Sequence, residues 1–146
     1  MRGMKADDFP ERPEDQFLAQ EGYALMGAAF EVHRVIGGGL LEEVYQESLE
    51  HELRLRSIPF VAKQELSLHY KGFTLNKRYV PDLFVHAHII AELKSQSALS
   101  VENEAQLLNY MRLGRKPVGY LINFGPIKKI EWRRLVLSEF IPLNRH

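Results

Sequence analysis

Residues 79–94 read YVPDLFVHAHIIAELK, which is two apolar runs joined by the short segment His86-Ala87-His88. The first run carries Asp82 directly after a proline, and the second ends in Glu92-Leu93-Lys94. Burying a carboxylate in so apolar a stretch costs free energy unless the carboxylate binds a partner. Two such carboxylates, with a lysine beside one of them, suit a divalent metal ion and a negatively charged reacting group.

A hairpin through residues 86–88 would bring these charged side chains onto one face. If the turn is centred on Ala87, then Asp82 lies directly opposite Glu92 on the neighbouring strand. Opposed residues have Cβ atoms about 5 Å apart, and period-two alternation puts Lys94 on the same face. Hard oxygen ligands of this kind suit Mg²⁺ or Mn²⁺. The spacing alone is equally compatible with a buried Glu–Lys ion pair and a turn residue at Asp82.

The rest of the chain predicts one α/β (α+β) domain over residues 15–146, after a flexible tail at residues 1–14. Helical and alternating apolar periods give the order α-α-β-β-β-α-β-β, a mixed central sheet flanked by helices. The predicted helices cover residues 14–35, 40–56 and 100–113, and the predicted strands cover 60–70, 79–85, 89–94, 118–124 and 130–137.

Composition limits the classes of function. The chain has 146 residues, with 19 basic and 19 acidic side chains. A nucleic-acid partner must therefore be held by a local patch or by metal rather than by net charge. The absence of cysteine excludes disulfides and thiolate metal sites and is compatible with a reducing cytoplasm. No signal peptide or membrane-spanning run is visible, so we expect a cytoplasmic protein without a membrane partner.

The motifs, taken in order, resemble the PD-(D/E)XK nuclease superfamily. Residues 39–45, GLLEEVY, match the G-x-x-E-x-x-Y signature of the GxxExxY proteins within it. The match continues through Asp82, the Glu92-Leu93-Lys94 triplet, residues 104–110 (EAQLLNY) and residues 122–125 (INFG). The resemblance covers residues 25–137, and it is the order of the motifs that makes it specific.

This resemblance implies a nuclease that hydrolyses phosphodiester bonds in DNA with Mg²⁺ or Mn²⁺, RNA being the second choice. It also implies that Lys94 activates the attacking water and that a homodimer is an option. The implied site consists of catalytic Lys94, Asp82, Glu92 and Glu42, metal ligands Asp82, Glu92, Glu42 and the Leu93 carbonyl, and substrate-binding Gln106 and Tyr110.

Other interpretations remain open at the level of sequence. The fold could serve as a catalytically silent module that binds nucleic acid or protein, or as an enzyme for a small phosphorylated molecule. Glu42 also suits the first turn of any helix, because the helix dipole favours an acidic residue there. Gln106 and Tyr110 also fit the edge of an amphipathic helix. The basic residues of 128–134 could bind the phosphates of a nucleic acid, but such a run is usually a solvated strand edge.

Overall fold

The computed structural model describes residues 16–142, so the tail predicted at residues 1–14 lies outside the described residues. The helices are α1 (Ala19–Ile36), α2 (Glu42–Leu55) and α3 (Val101–Gly114), and a short 3-10 helix covers Ser138–Phe140. The strands are β1 (Phe60–Ala62), β2 (Leu66–Tyr70), β3 (Phe73–Tyr79), β4 (Leu83–Val85), β5 (Ile89–Lys94), β6 (Val118–Asn123) and β7 (Glu131–Val136).

Five of the strands form a mixed sheet in the order β1-β4-β5-β6-β7, and β2 pairs with β3 in a separate hairpin. Only β5 and β6 run parallel among the strand pairs of residues 16–142, and helix α3 makes the crossover between them. The predicted fold class is confirmed. In β4 and β5, Val85 pairs with Ile89 and Leu83 with Ala91, so the predicted hairpin register is confirmed as well.

Helices cover both faces of the five-stranded sheet, and each face has its own apolar cluster. Helices α1 and α2 pack on the face that carries Ile89, Ala91 and Leu93 of β5. Helix α3 and strand β2 pack on the face that carries Ile90. Because neighbouring residues of a strand alternate between faces, Glu92 and Lys94 extend the α3 face toward the end of β5. The fold thus places two polar residues where the apolar cover of α3 ends.

The strands before α3 differ in number from the sequence prediction, which has three where the structure has five. Residues 60–70 are not one strand, because Lys63 adopts a left-handed backbone (φ 56°) and separates β1 from β2. Residues 79–85 are not one strand either: Tyr79 ends β3, and β4 begins after Pro81, which has no N–H to donate to a ladder. No helix in residues 16–142 is long and apolar enough to cross a membrane.

Candidate active site

Asp82 and Glu92, called the acidic pair below, are locked together by backbone hydrogen bonds. The Asp82 N–H donates to Glu92 Oε1 at 2.9 Å. In return, the N–H of Leu93 donates to Asp82 Oδ2 at 2.8 Å. These reciprocal bonds extend the β4–β5 register by one residue, to Asp82 directly before β4 begins. Both carboxylates are therefore held in fixed positions at the end of the hairpin.

Burial and repulsion from Asp82 favour the protonated form of Glu92. Burial raises the pKa of Glu92 to about 7, and the nearby Asp82 charge adds to the rise. The bonds from the Asp82 N–H and the Tyr79 hydroxyl, with the Lys94 charge, lower this pKa only in part. The environment of Glu92 thus disfavours its charged form.

Lys94 and Glu92 line one wall of a cavity of about 170 Å³ under helix α3. Gln106 and Tyr110 lie on the facing helix, four residues and about one turn apart. The structure therefore brings the predicted lysine, one predicted carboxylate and both predicted substrate-binding residues to one cavity. Its remaining lining residues are Tyr79, Asn103, Leu107 and Leu121.

Tyr79 is a residue of this site that the sequence analysis missed. Its ring stacks on Tyr110, with 3.9 Å between the ring centroids and 4° between the planes. Its hydroxyl hydrogen-bonds Glu92, and burial together with the Glu92 charge raises the pKa of Tyr79, which stays protonated as a donor. The available signal was its position three residues before Asp82, at the end of a strand that was itself not predicted.

Glu42 is the first residue of α2 and is exposed at the edge of the site. Partial desolvation of its carboxyl raises the pKa of Glu42; the Lys94 charge lowers it and the Asp82 charge raises it. Glu42 therefore lies within the electrostatic reach of Asp82 and Lys94, although it comes from the helix layer on the opposite face of the sheet. We see in the described residues no hydrogen bond that joins Glu42 to either member of the pair.

The loop Gly37–Gly39 sets where α2, and with it Glu42, begins. The buried Tyr45 hydroxyl donates to the Gly37 carbonyl at 2.6 Å and accepts from the Leu40 N–H at 3.0 Å. Gly39 has φ +87°, a left-handed conformation that favours glycine. The Ser95 hydroxyl, next to Lys94, donates to the Leu40 carbonyl. Glycine and tyrosine of the G-x-x-E-x-x-Y motif thus act as structural residues that hold the glutamate beside the end of β5.

Two further residues contact Asp82 and were not predicted. The Gln46 amide, one turn after Glu42, donates to the Asp82 carbonyl at 3.1 Å. The Lys63 ammonium lies 2.5 Å from Asp82 Oδ1. Neither residue stands near residues 79–94 in sequence, so only the tertiary structure shows these contacts.

The donor set fits a divalent cation of the Mg²⁺ type. In residues 16–142 no three acidic, histidine or cysteine side chains are grouped closely enough to hold a metal by themselves. Mg²⁺, however, is commonly bound through one or two carboxylates, with water completing its shell. The acidic pair supplies two, and a lysine ammonium already lies against one of them, at Asp82 Oδ1. A cation at the pair would relieve the repulsion between its carboxylates.

The basic residues near the C-terminal end are largely engaged with neighbours. Arg133 forms ion pairs with Glu104 at 3.2 Å and with Glu131 at 3.5 Å. The Arg134 guanidinium donates to the Tyr120 hydroxyl at 3.1 Å. Only the exposed residues Lys128 and Lys129 keep the character of a solvent-facing basic patch in this stretch.

The family model of the PD-(D/E)XK nuclease superfamily matches residues 19–135, which include β4, β5 and the helices on both sides of the sheet. The chain therefore belongs to the PD-(D/E)XK nuclease superfamily. A comparison with curated proteins gives no significant match, and neither does a comparison with solved structures.

Proposed function

We propose that this protein is a metal-dependent nuclease that hydrolyses phosphodiester bonds in DNA. The observation that carries the proposal is that Glu92, which is bonded to Asp82 in the acidic pair, lines one cavity together with Lys94. Membership of a nuclease superfamily supports the same chemistry. The neutral net charge of the chain makes a local, metal-assisted contact with DNA more plausible than a broad basic surface.

Each side chain has a task that its position suits. Lys94 orients the attacking water and takes up its proton, or offsets charge that develops on a phosphoryl oxygen. Gln106 is exposed and lines the cavity, so its amide is placed to bond a phosphate or a base edge. Tyr110 fixes one wall of the cavity through its stack on Tyr79. Glu42 lies at the edge, where it would position the water opposite the leaving group.

Mg²⁺ or Mn²⁺ would be held by Asp82, Glu92 and the Leu93 carbonyl, with Glu42 completing the acidic set. Bound there, it would act as a Lewis acid on the scissile phosphate. Glu92 must lose its proton for this, which the cation favours because it replaces the repulsion from Asp82 with attraction.

Within the superfamily we assign the chain to the GxxExxY proteins, on the motif at residues 39–45 and on the contacts of its glycine and tyrosine. We take DNA as the substrate before RNA, and a homodimer, in which two sites address two strands, as the assembly to test first. For its location we propose the cytoplasm, which the absence of cysteine supports.

The decisive experiment is a metal-dependent cleavage assay on single-stranded, duplex and branched DNA, with RNA alongside. Lys94→Ala should lower the cleavage rate by about 100-fold or more while the chain still folds. Lys77→Ala removes an exposed lysine on β3 and is the matched control, expected to cleave as the wild type does. Equal cleavage by Lys94→Ala and wild type would overturn the mechanism.

Binding of metal separates the enzyme from a catalytically silent module. Calorimetric titration of Mn²⁺ into the wild type should show one specific site, and Asp82→Asn should abolish it or weaken it by about 10-fold or more. Absence of binding in the wild type would favour a module that binds nucleic acid or protein without catalysis. Metal binding together with failure to cleave every nucleic acid in the panel would direct attention to small phosphorylated molecules.

A further inference from the structure

Lys63 is fixed beside Asp82 by its backbone as well as by its side chain. It follows β1, which pairs with β4 and so runs alongside the strand that begins just after Asp82. Its N–H donates to the Asp82 carbonyl at 3.3 Å, and its ammonium lies 2.5 Å from Asp82 Oδ1. The left-handed backbone at Lys63 turns the chain at this point. An accidental surface ion pair has no such second anchor in the main chain.

The Lys63 ammonium lies in the field of all three carboxylates proposed to serve the metal. Partial burial lowers the pKa of Lys63, but the hydrogen bond to Asp82 and the charges of Asp82, Glu92 and Glu42 together raise it. Its position thus places one positive charge within reach of all three carboxylates. In this respect Lys63 does in the metal-free chain what a divalent cation would do in the metal-bound one.

Lys63 and a metal ion cannot both take this place. Oδ2 of Asp82 accepts from the Leu93 N–H, and Oδ1 carries the Lys63 ammonium, so a cation that binds Asp82 through Oδ1 meets Lys63. An ammonium and a divalent cation on the same oxygen repel each other strongly. The Lys63 side chain is 56% exposed and has a long flexible stem, so it can leave toward solvent without disturbing the core.

We propose that Lys63 is a built-in counter-cation of the acidic pair, which a divalent metal must displace from Asp82, and that Lys63 thereby sets the metal affinity. The inference rests on the proposed metal site but concerns a residue outside the motifs that define it. It makes Lys63 a positioning residue, since it acts through Asp82. Its ammonium holds the pair together without metal and opposes the metal that replaces it.

The test is the affinity for Mn²⁺, measured by calorimetry at one fixed pH. Lys63→Met keeps the length of the stem and removes the charge, and Lys77→Met is the matched control on exposed β3. Lys63→Met should bind Mn²⁺ about five-fold more tightly than the wild type, as expected for loss of a competing, partly exposed ion pair. Lys77→Met should bind as the wild type does.

Thermal unfolding gives a second readout that needs neither substrate nor turnover. In a chelator, Lys63→Met should unfold at a lower temperature than the wild type, because the acidic pair has lost its counter-charge. Saturating Mn²⁺ should raise the unfolding temperature of Lys63→Met more than that of the wild type. Lys63→Gln serves in the same way if the methionine variant does not fold.

The outcomes distinguish this inference from the proposed function. Mn²⁺ binding that is equal or weaker in Lys63→Met, with a wild type that binds, overturns the role of Lys63 and leaves the metal site standing. Binding in Lys63→Met alone supports both. Absence of binding in both proteins overturns the metal site and, with it, the competition.

Discussion

The ring of Tyr110 lies flat on the ring of Tyr79, and Tyr79 in turn hydrogen-bonds Glu92. Helix α3 is thereby connected to the acidic pair through Tyr79, which ends β3 in the separate β2–β3 hairpin. The connection explains how Tyr110 can belong to the site while its ring face is already covered. The face of Tyr110 that lies on Tyr79 is therefore closed to a base.

Removal of this stack should weaken the fold. Tyr110→Ala should lower the free energy of unfolding by about 1–3 kcal/mol, from lost apolar contact and lost ring stacking. Tyr110→Phe keeps the ring and should change the free energy of unfolding by less than about 0.5 kcal/mol. Urea denaturation measures both. An equal loss in the two variants would show that the hydroxyl, and not the stack, supplies the stability.

The pH dependence of stability should reveal the proton on Glu92. The folded chain has a raised pKa of about 7 at Glu92, against an ordinary value of 4.5, so between these pH values the folded state binds more protons than the unfolded state. In the presence of a chelator, the free energy of unfolding should therefore fall by roughly 3 kcal/mol as the pH rises through this window.

Glu92→Gln isolates this effect, because the amide cannot ionise. The difference in free energy of unfolding between wild type and variant should be constant below about pH 4.5. It should shift in favour of the variant between about pH 4.5 and pH 7, and it should be constant again above pH 7. Urea denaturation across the pH range gives the curve for each protein. A wild type that gains stability relative to Glu92→Gln as the pH rises would contradict the assigned environment of Glu92.

Asn123 should be among the costliest polar residues to replace. It is fully buried, accepts from the N–H groups of Gln96 and Gly125, and donates to the Gln96 carbonyl. Asn123→Ala should lower the free energy of unfolding by about 2–4 kcal/mol, because it leaves buried backbone groups unpaired. The exposed Asn109→Ala is the control, with an expected loss within about 0.5 kcal/mol. Similar losses in both variants would mean that water replaces the Asn123 bonds.

Tyr45→Phe should loosen the start of α2. The change removes both bonds of the hydroxyl and keeps the ring stacked on Phe124, whose centroid is 4.6 Å away. We expect a loss of about 1–3 kcal/mol and faster hydrogen exchange at the Leu40 amide, which loses its acceptor. Tyr70→Phe, on an exposed ring, is the control. Unchanged exchange at Leu40 would show that the loop Gly37–Gly39 is held without Tyr45.

The sequence was sufficient for the fold class and for the register of the β4–β5 hairpin. That register follows from local rules, since a short turn fixes which residues oppose each other and alternation fixes the faces. The separate β2–β3 hairpin was not predictable in the same way. Its alternation resembles that of a strand in the main sheet, and a sequence does not show which partner a strand finds.

By itself, then, the sequence determined the face shared by Asp82, Glu92 and Lys94, because these residues are close along one hairpin and their geometry is local. The tertiary structure alone decided that Tyr79 bonds Glu92, that Gln46 reaches the Asp82 carbonyl and that Lys63 occupies Asp82 Oδ1. These contacts depend on how helices and strands pack across the sheet. The periodicity of apolar residues in the sequence therefore does not predict them. The charge balance of the site is a property of that packing.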